Sequence, residues 1–192
     1  LDPGGSSARH ARHIVDAGRH LLSLIDESLD LMRLEAGAAR LDPVPLDLLP
    51  LLGEVRTLVE GLASERGIGV EIDGPDTLPV HADARRAKQV LLNLTSNAIK
   101  YSPVGSRVLL RAGRDGDAAW VAVSDSGPGL STAQIERLFK PFERLGQERG
   151  GVPGTGLGLT LSNQLALAMG GRIDVASAPG AGSVFTVRLP AG

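Results

Sequence analysis

The chain has 192 residues, of which 42% are hydrophobic, and its 20 basic and 22 acidic side chains leave a net charge of −2. The balanced charge disfavours nucleic-acid binding, which needs clustered Lys and Arg, and the absence of cysteine excludes disulfides and thiolate zinc sites. No apolar run approaches the ~18 residues of a membrane span. These features predict one globular domain with a shorter additional segment.

The first segment predicts a single helix of about thirty residues with an apolar stripe. Ser6 or Ser7 can cap its start, and Gly37 is a typical stop. The heptad positions that form the stripe are Val15, Leu22, Ile25, Leu29, Met32 and Ala36. No adjacent segment is an equal partner for this stripe, so we expect the helix in a bundle formed between molecules.

Beyond this helix the pattern predicts a globular unit. Residues 40–47 hold two prolines, which exclude a helix and predict a connector. Helices are predicted over 47–66, 84–101, 131–138 and 156–169, with a glycine-rich loop over 139–156. Strands are predicted over 68–72, 79–82, 106–113, 118–124, 171–176 and 183–189, with a hairpin at Asp115-Gly116. The sum is an α+β sandwich in which helices cover one face of a mostly antiparallel sheet.

The helix predicted over 84–101 carries a polar row. Asn93, Asn97 and Lys100 lie at positions i, i+4 and i+7, and therefore on one side of the helix. A carboxamide oxygen is a hard ligand that suits Mg²⁺, and the Lys100 ammonium group suits a phosphate. The row fits a magnesium triphosphate, and the alternative is a solvated polar face.

Residues 125–129 (DSGPG) directly follow the apolar strand that contains Trp120 and Val123. An acid at a strand end, here Asp125, can accept a hydrogen bond from an exocyclic amine such as that of adenine. Gly127 and Gly129 would let a ligand approach the backbone closely. The alternative is an ordinary Gly-Pro turn after a strand.

Two further motifs flank the predicted loop. Residues 139–144 (FKPFER) predict an apolar anchor for a lid, with Arg144 either a phosphate contact or a solvated charge. Residues 154–159 (GTGLGL) run into a helix, whose first N–H groups can bind phosphate. The second motif lacks the Lys-Ser/Thr of a Walker loop and the spacing of a dinucleotide fingerprint.

In order and spacing, these four motifs resemble the catalytic domain of sensor histidine kinases, in the superfamily shared with gyrase, heat-shock and mismatch-repair ATPases. NLTSNAIKY, DSGPG, FKPF and GTGLGL are similar to its N, G1, F and G2 boxes, and GAGSVF over 180–185 is similar to its last glycine box. HLLSLIDESLDLMRLEAG resembles the second helix of the family's dimerisation hairpin. Residues 1–40 are therefore expected to be that hairpin helix, and residues 41–192 the ATP-binding domain.

The resemblance implies a two-layer Bergerat-type fold, with three main helices on a five-stranded mixed sheet. It implies ATP and Mg²⁺ as cofactors, with Asp125 on the adenine amine, assisted by Ser183 or a water, and with Asn97 and Asn93 on Mg²⁺. The catalytic residues would be Asn93, Asn97 and Lys100. The remaining implied nucleotide contacts are Tyr101, Gly127, Gly129, Phe142, Arg144, Gly154, Thr155, Gly156, Leu157, Gly158 and Leu159.

The implied activity is transfer of the γ-phosphoryl group of ATP to a histidine. Superfamily members that hydrolyse ATP carry Glu where Asn93 stands, and a carboxamide cannot take a proton from water. Asn93 therefore favours transfer to a protein nucleophile. None of the four histidines has the context of the family's acceptor box; they are His10, His13, His20 and His81. The acceptor is expected on a helix upstream of Leu1, so the fragment alone should not autophosphorylate.

The implied partners are a second copy of the parent protein, through the hairpin helices, and the receiver domain of a response regulator. We expect a cytoplasmic fragment that contacts neither nucleic acid nor membrane, in a parent that upstream segments could anchor. Two alternatives remain open. An anti-sigma-type serine kinase would share the sandwich but lacks the first helix. A nucleotide-binding scaffold without kinase activity is disfavoured by the intact NLTSNAIK and GTGLGL motifs.

Overall fold

The structure, a computed structural model, describes Val15, Gly18 and the ranges 21–34, 36–143 and 155–192. The chain divides into two compact units, Leu1–Ala39 and Arg40–Gly192. The predicted residues that lie outside the described parts of the first unit are Ser6, Ser7, His10, His13 and His20. The assignment of this unit to a dimerisation hairpin stays a prediction.

The first unit contains a helix over residues 21–34, named α1. The chain turns after it, where the N–H groups of Ala38 and Ala39 both donate to the carbonyl of Arg33, at 2.8 and 3.0 Å. Five described apolar side chains at the heptad positions are 45% to 63% exposed; they are Val15, Leu22, Ile25, Leu29 and Met32. We call these five residues the exposed stripe.

The second unit holds the strands and the remaining helices. The strands are β1 (Val44–Asp47), β2 (Gly69–Asp73), β3 (Pro79–Ala82), β4 (Arg107–Asp115), β5 (Ala118–Asp125), β6 (Arg172–Ser177) and β7 (Ser183–Pro190). The helices are α2 (Leu48–Glu65), α3 (Ala84–Tyr101), α4 (Thr132–Ile135) and α5 (Gly158–Ala168). Within the described part of the chain, no helix is both long and apolar enough to span a membrane.

The main sheet has the strand order β2-β4-β5-β7-β6. Only the β2–β4 pair is parallel, and the other three neighbouring pairs are antiparallel. The predicted hairpin joins β4 to β5, with Asp115 opposite Ala118. The predicted fold class, helices against a mostly antiparallel mixed sheet, is confirmed.

The connector expected over 40–47 contains a strand that the sequence analysis missed. β1 pairs antiparallel with β3, with Val44 opposite Ala82, and the pair forms a separate two-stranded sheet. Proline excludes a helix but is tolerated in an edge strand, where its missing N–H is not needed for pairing. Pro45 and the following residues therefore stay extended and pair with β3.

Two aspartates begin the long helices. Asp47 precedes α2, and its Oδ1 accepts the N–H groups of Leu49 and Leu78 at 3.0 and 2.9 Å. Asp83 precedes α3, as predicted, and its carboxylate accepts the N–H groups of Arg86 and Asp42 at 3.0 and 3.1 Å. Each aspartate satisfies a free N–H group of its helix and also holds a distant segment of backbone.

The core lies between the main sheet and the helices α2, α3 and α5. Alternate side chains of the central strands point into it, because successive residues of a strand face opposite sides. In β4 these are Val108, Leu110 and Ala112. The helices contribute fully buried side chains that include Leu52, Val55, Val90, Leu94, Ile99 and Leu165. This packing holds the end of β5 and the middle of α3 beside each other.

Candidate functional site

One cleft of the second unit is lined by α3, the end of β5, the loop that follows it, α5 and β7. Its lining residues are Asn97, Ala98, Tyr101, Asp125, Pro128, Gly129, Leu130, Leu138, Glu143, Leu159, Ser183 and Phe185. The ones predicted from sequence are Asn97, Tyr101, Asp125, Gly129, Leu159 and Ser183. We call residues 125–130 and 177–185 the strand side of the cleft, and residues 93–101 and 155–162 the helix side.

Asp125 is the last residue of β5 and lies opposite Ser183 in β7. Its Oδ1 accepts the N–H of Gly127 at 2.7 Å. Burial raises the pKa of Asp125, although hydrogen bonds from the N–H groups of Gly127 and Ser183 act in the opposite direction. The result is a partly desolvated carboxylate with acceptor capacity left for a donor in the cleft.

Ser177 organises the strand side, and no sequence pattern indicates this role. Its hydroxyl donates to the carbonyl of Gly182 at 2.7 Å and accepts the N–H of Leu130 at 2.8 Å. The same oxygen lies 3.1 Å from Oγ of Ser183. Since the single hydroxyl hydrogen of Ser177 is directed to Gly182, Ser183 must be the donor in that pair. The lone pairs of Ser183 therefore remain for accepting a hydrogen bond in the cleft.

Gly129 sets the shape of the loop between β5 and α4. Its φ of +67° is in the left-handed region, and a Cβ there would stand 1.9 Å from the carbonyl oxygen of Ala178. The loop is further tied to the turn before β7, because the N–H of Gly180 donates to the carbonyl of Pro128 at 2.7 Å. Only glycine allows this close contact between the two backbones.

Apolar side chains make up a wall of the cleft that the motif analysis missed. Leu138 is 5% exposed, and Leu130 and Phe185 line the cleft beside it. Such surfaces suit the flat face of an aromatic ligand. A signal was available for two of them: Leu130 adjoins DSGPG, and Phe185 lies two residues after Ser183, on the same side of the strand.

The three residues of the predicted polar row on the helix side do not all reach the cleft. Asn97 lines the cleft, whereas Asn93 and Lys100 are partly buried and do not. The Nδ2 of Asn93 donates to Oγ of Ser162 in α5 at 2.8 Å. Spacing along α3 predicts which residues share a face, but it does not show which of them another helix covers.

The GTGLGL residues that the structure describes lead into α5. Thr155 Oγ1 accepts the N–H of Leu157 at 3.1 Å, and Leu157 is buried. Gly158 begins the helix, two residues later than predicted, and Leu159 lines the cleft. Gly154 lies outside the described residues, as does Arg144.

Besides Asn93 and Lys100, six described residues that were predicted to contact a nucleotide do not line the cleft; they are Gly127, Phe142, Thr155, Gly156, Leu157 and Gly158. Gly127 serves as a donor to Asp125, and the carbonyl of Gly156 accepts the N–H of Phe142 at 3.1 Å. Phe142 has a φ of 61° and is 66% exposed. The role of Phe142, as part of a lid anchor or as a nucleotide contact, stays a prediction.

The donor set is compatible with magnesium held mainly by a ligand's phosphates. Among the described residues there is no group of three or more His, Cys, Asp or Glu side chains that could hold a metal ion. Mg²⁺ commonly takes one or two protein oxygens and completes its shell with phosphates and water. The carboxamide of Asn97 offers one such oxygen at the cleft.

Comparisons with known proteins identify the family to which the chain belongs. Residues 82–192 match the family described as Histidine kinase-, DNA gyrase B-, and HSP90-like ATPase. The sensor protein TorS of Escherichia coli (strain K12) is 38% identical over 183 residues, which are 93% of this chain and 20% of TorS. The chain thus spans a fifth of the length of that curated relative.

Two solved structures share the fold. Histidine kinase AdeS of Acinetobacter baumannii superimposes with a TM-score of 0.79 at 26% identity, over 100% of this chain and 87% of AdeS. Full-length ShkA, crystallised in complex with AMPPNP, superimposes with a TM-score of 0.84 at 32% identity, over 100% of this chain and 40% of ShkA. The chain therefore belongs to the family of histidine kinase-, DNA gyrase B- and HSP90-like ATPases, and its relatives are sensor histidine kinases.

Proposed function

We propose that this chain is the catalytic region of a protein-histidine kinase, which binds Mg-ATP in the cleft and transfers the γ-phosphoryl group to a histidine of its parent protein. One observation carries the proposal. Asp125 and Asn97 come from separate motifs, were predicted to hold opposite ends of a nucleotide, and line the same cleft.

The strand side would bind the adenine base. The carboxylate of Asp125 accepts a hydrogen bond from the exocyclic amine, and Ser183 accepts a second one directly or through a water. Leu130, Leu138 and Phe185 cover the faces of the ring. Guanine would present a carbonyl oxygen to the carboxylate, which leaves two acceptors facing each other without a hydrogen. The site should therefore select adenine over guanine.

The helix side would hold the triphosphate. Asn97 would supply an oxygen to Mg²⁺, and Lys100 and the N–H groups before α5 would face the phosphates. Asn93, implied by the resemblance as a second ligand, lies outside the cleft lining and donates to Ser162. When bound, Mg²⁺ would neutralise negative charge on the phosphates. A carboxamide at position 93 cannot act as a base. A neutral imidazole needs none, since its nitrogen already carries a lone pair, so transfer to histidine is favoured over hydrolysis.

The parent's partners follow from the same family. The exposed stripe supports pairing of hairpin helices between two copies of the parent, because a stripe this apolar gains stability only when it is covered. The receiver domain of a response regulator would accept the phosphoryl group from the histidine. The acceptor histidine is proposed to lie on an upstream helix.

Calorimetry with Mg-ATP tests the binding step. The Asn97→Ala variant should lose about tenfold in Mg²⁺-dependent affinity, because one charge-assisted contact is removed. Asn163→Ala, the same substitution on α5 outside the cleft lining, is the matched control and should bind like wild type. Unchanged affinity in Asn97→Ala would refute the role of this residue.

Phosphotransfer from radiolabelled ATP tests the activity, with the chain extended upstream through the parent's sequence. An acid-labile label on histidine supports the kinase. An acid-stable label on serine would favour the anti-sigma-type alternative, and nucleotide binding without any label would favour a scaffold.

A further inference from the structure

The contact between α3 and α5 contains a hydrogen bond that the proposed function does not use. The Nδ2 of Asn93 donates to Oγ of Ser162 at 2.8 Å, and Ser162 is only 2% exposed. A side-chain hydrogen bond in such a buried position is not exchanged easily for water. The carboxamide of Asn93 is therefore held in place against α5, with its nitrogen at Ser162.

Gly158 leaves the space on α5 that the carboxamide of Asn93 occupies. Gly158 and Ser162 lie four residues apart on α5 and therefore share a face of that helix. A Cβ at Gly158 would stand 2.6 Å from Oδ1 of Asn93, so any side chain at this position would displace the amide. Gly158 therefore leaves space for the amide oxygen of Asn93, and Ser162, one helical turn later, provides a hydroxyl for the amide nitrogen.

The orientation is passed on to the residue that lines the cleft. The Nδ2 of Asn97 lies 3.5 Å from Oδ1 of Asn93, at the long end of hydrogen-bond distances. Because the oxygen and nitrogen of a carboxamide point in opposite directions, Asn97 then turns its own oxygen away from Asn93. Asn97 lines the cleft and Asn93 does not, so Ser162, Asn93 and Asn97 form a relay that ends at the cleft.

We propose that Ser162 is a positioning residue, whose hydroxyl orients the Asn93 carboxamide and, through it, presents the Asn97 oxygen to a phosphate-bound magnesium ion. The inference rests on the proposed function, because it assigns the orientation of a group in the nucleotide site. Ser162 itself touches neither nucleotide nor metal in this account.

The relay matters because a carboxamide can rotate by half a turn with almost no change in shape. The Ser162 hydroxyl can accept from an amide nitrogen or donate to an amide oxygen, so it does not by itself choose the rotamer of Asn93. It holds the Asn93 amide beside Asn97, where a rotated Asn93 would place its nitrogen against the nitrogen of Asn97. Without the hydroxyl the amide can turn away, and Asn97 loses the partner that restrains its own carboxamide. Asn97 would then present an N–H₂ group, which cannot coordinate a cation, in a fraction of the molecules.

The chain offers a matched control in Ser96. Its hydroxyl also binds Asn93, but it donates to the backbone carbonyl, at 3.0 Å, and not to the carboxamide. Ser96→Ala and Ser162→Ala therefore each remove a hydroxyl group that forms a hydrogen bond with Asn93. Only Ser162→Ala removes the hydrogen bond to the side-chain amide of Asn93.

The test is calorimetry of ATP binding, with and without Mg²⁺, in wild type and these two variants. Ser162→Ala should lower the Mg²⁺-dependent affinity about fivefold, as expected for one hydrogen bond, and leave the Mg²⁺-free affinity unchanged. Ser96→Ala should match wild type in both conditions. Ser162→Cys, whose side chain fills the site but is only a weak hydrogen-bond acceptor, should reproduce the loss and so exclude a cavity as its cause.

Equal Mg²⁺-dependent affinity in Ser162→Ala and wild type would overturn the positioning role, as would an equal loss with and without Mg²⁺. Side-chain amide resonances of Asn93 in isotope-labelled protein give a second readout that needs no ligand. They should shift in Ser162→Ala and stay in place in Ser96→Ala, and the reverse pattern would contradict the relay. If wild type itself bound no ATP, the proposed function would fail, and the resonances would still report whether the relay exists.

Discussion

The strand side and the helix side of the cleft are built by different means. On the strand side most of the contacts involve the backbone: Asp125 accepts the N–H of Gly127 at 2.7 Å, and Gly129 allows the backbones of two loops to come into contact. On the helix side the orientation passes between side chains, at 2.8 Å from Asn93 to Ser162 and at 3.5 Å from Asn97 to Asn93. The strand side is therefore held together mainly by backbone contacts, and the helix side by contacts between side chains.

The largest effect is expected from filling the contact between the strand-side loops. Gly129→Ala places a methyl group 1.9 Å from a carbonyl oxygen at a φ of +67°, so we expect a loss of about 3 kcal/mol in the free energy of unfolding. Gly180→Ala is the control, since its φ is +80° but no atom lies within 4 Å of the added methyl. It should lose only about 1 kcal/mol. Urea unfolding that gives equal losses would contradict a close backbone contact at Gly129.

The next effect concerns binding through the strand side. In wild type the carboxylate of Asp125 accepts hydrogen bonds from the N–H groups of Gly127 and Ser183 and, in the proposal, from the adenine amine. Asp125→Asn leaves only one side-chain oxygen for these donors. We expect about 2 kcal/mol less binding free energy for ATP, a loss of about thirtyfold, equal with and without Mg²⁺. Asp117→Asn, an exposed aspartate in the β4–β5 turn, is the calorimetric control. A loss confined to the Mg²⁺ condition would place Asp125 at the phosphates.

A smaller effect is expected at Asp83, which caps the start of α3 and lies outside the helix side of the cleft. Burial acts to raise the pKa of Asp83, but the N–H groups of Arg86, Asp42 and Arg85 outweigh it, so the pKa falls below 3.8. Asp83→Ala should lose about 1 kcal/mol of stability without changing ATP affinity. The stabilisation by Asp83 is present above the unfolded pKa and is lost as pH falls through the lower folded value.

Asp83→Asn retains a capping oxygen, so it should keep most of the stability and remove this acid dependence. Thermal unfolding at several pH values, together with calorimetry, measures both quantities. A weaker ATP affinity in Asp83→Ala would mean that the helix side depends on the first turn of α3.

The smallest effect is a pH dependence of binding. Because burial raises the pKa of Asp125 above 3.8, this carboxylate protonates at a higher pH than an ordinary aspartate. ATP affinity should fall about twofold at the pH where half of the Asp125 side chains are protonated. Folding favours the protonated form, so the stability linked to this group is present below 3.8 and is lost as pH rises through the folded pKa.

Affinity measured across this pH range should show the decline in wild type and none from this group in Asp125→Asn. Identical pH profiles of ATP affinity in the two proteins would contradict a contact between Asp125 and the adenine base.

The parts of the fold that sequence predicted are those with local signals. The bounds of α3 follow from the Asp83 cap and a clear helical period, and the β4–β5 hairpin follows from Asp115-Gly116. β1 was missed because prolines exclude a helix without showing whether an extended segment finds a partner strand. Pairing depends on β3, which is distant in sequence.

The same distinction holds in the site. Asp125 and Asn97 were predicted because they stand in recognisable motifs. Ser177 and Ser162 were missed because a single serine has no pattern of its own, and its role arises from what the fold places beside it. Leu138 was missed because a buried leucine that lines a cleft looks like any core residue in sequence.

A crystal structure of the chain with Mg²⁺ and a non-hydrolysable ATP analogue tests the central claim most directly. The account predicts the adenine amine against Asp125, the ring between Leu130, Leu138 and Phe185, and the Asn97 oxygen on the metal. A nucleotide bound elsewhere, or one whose phosphates lie at Asp125, would contradict it.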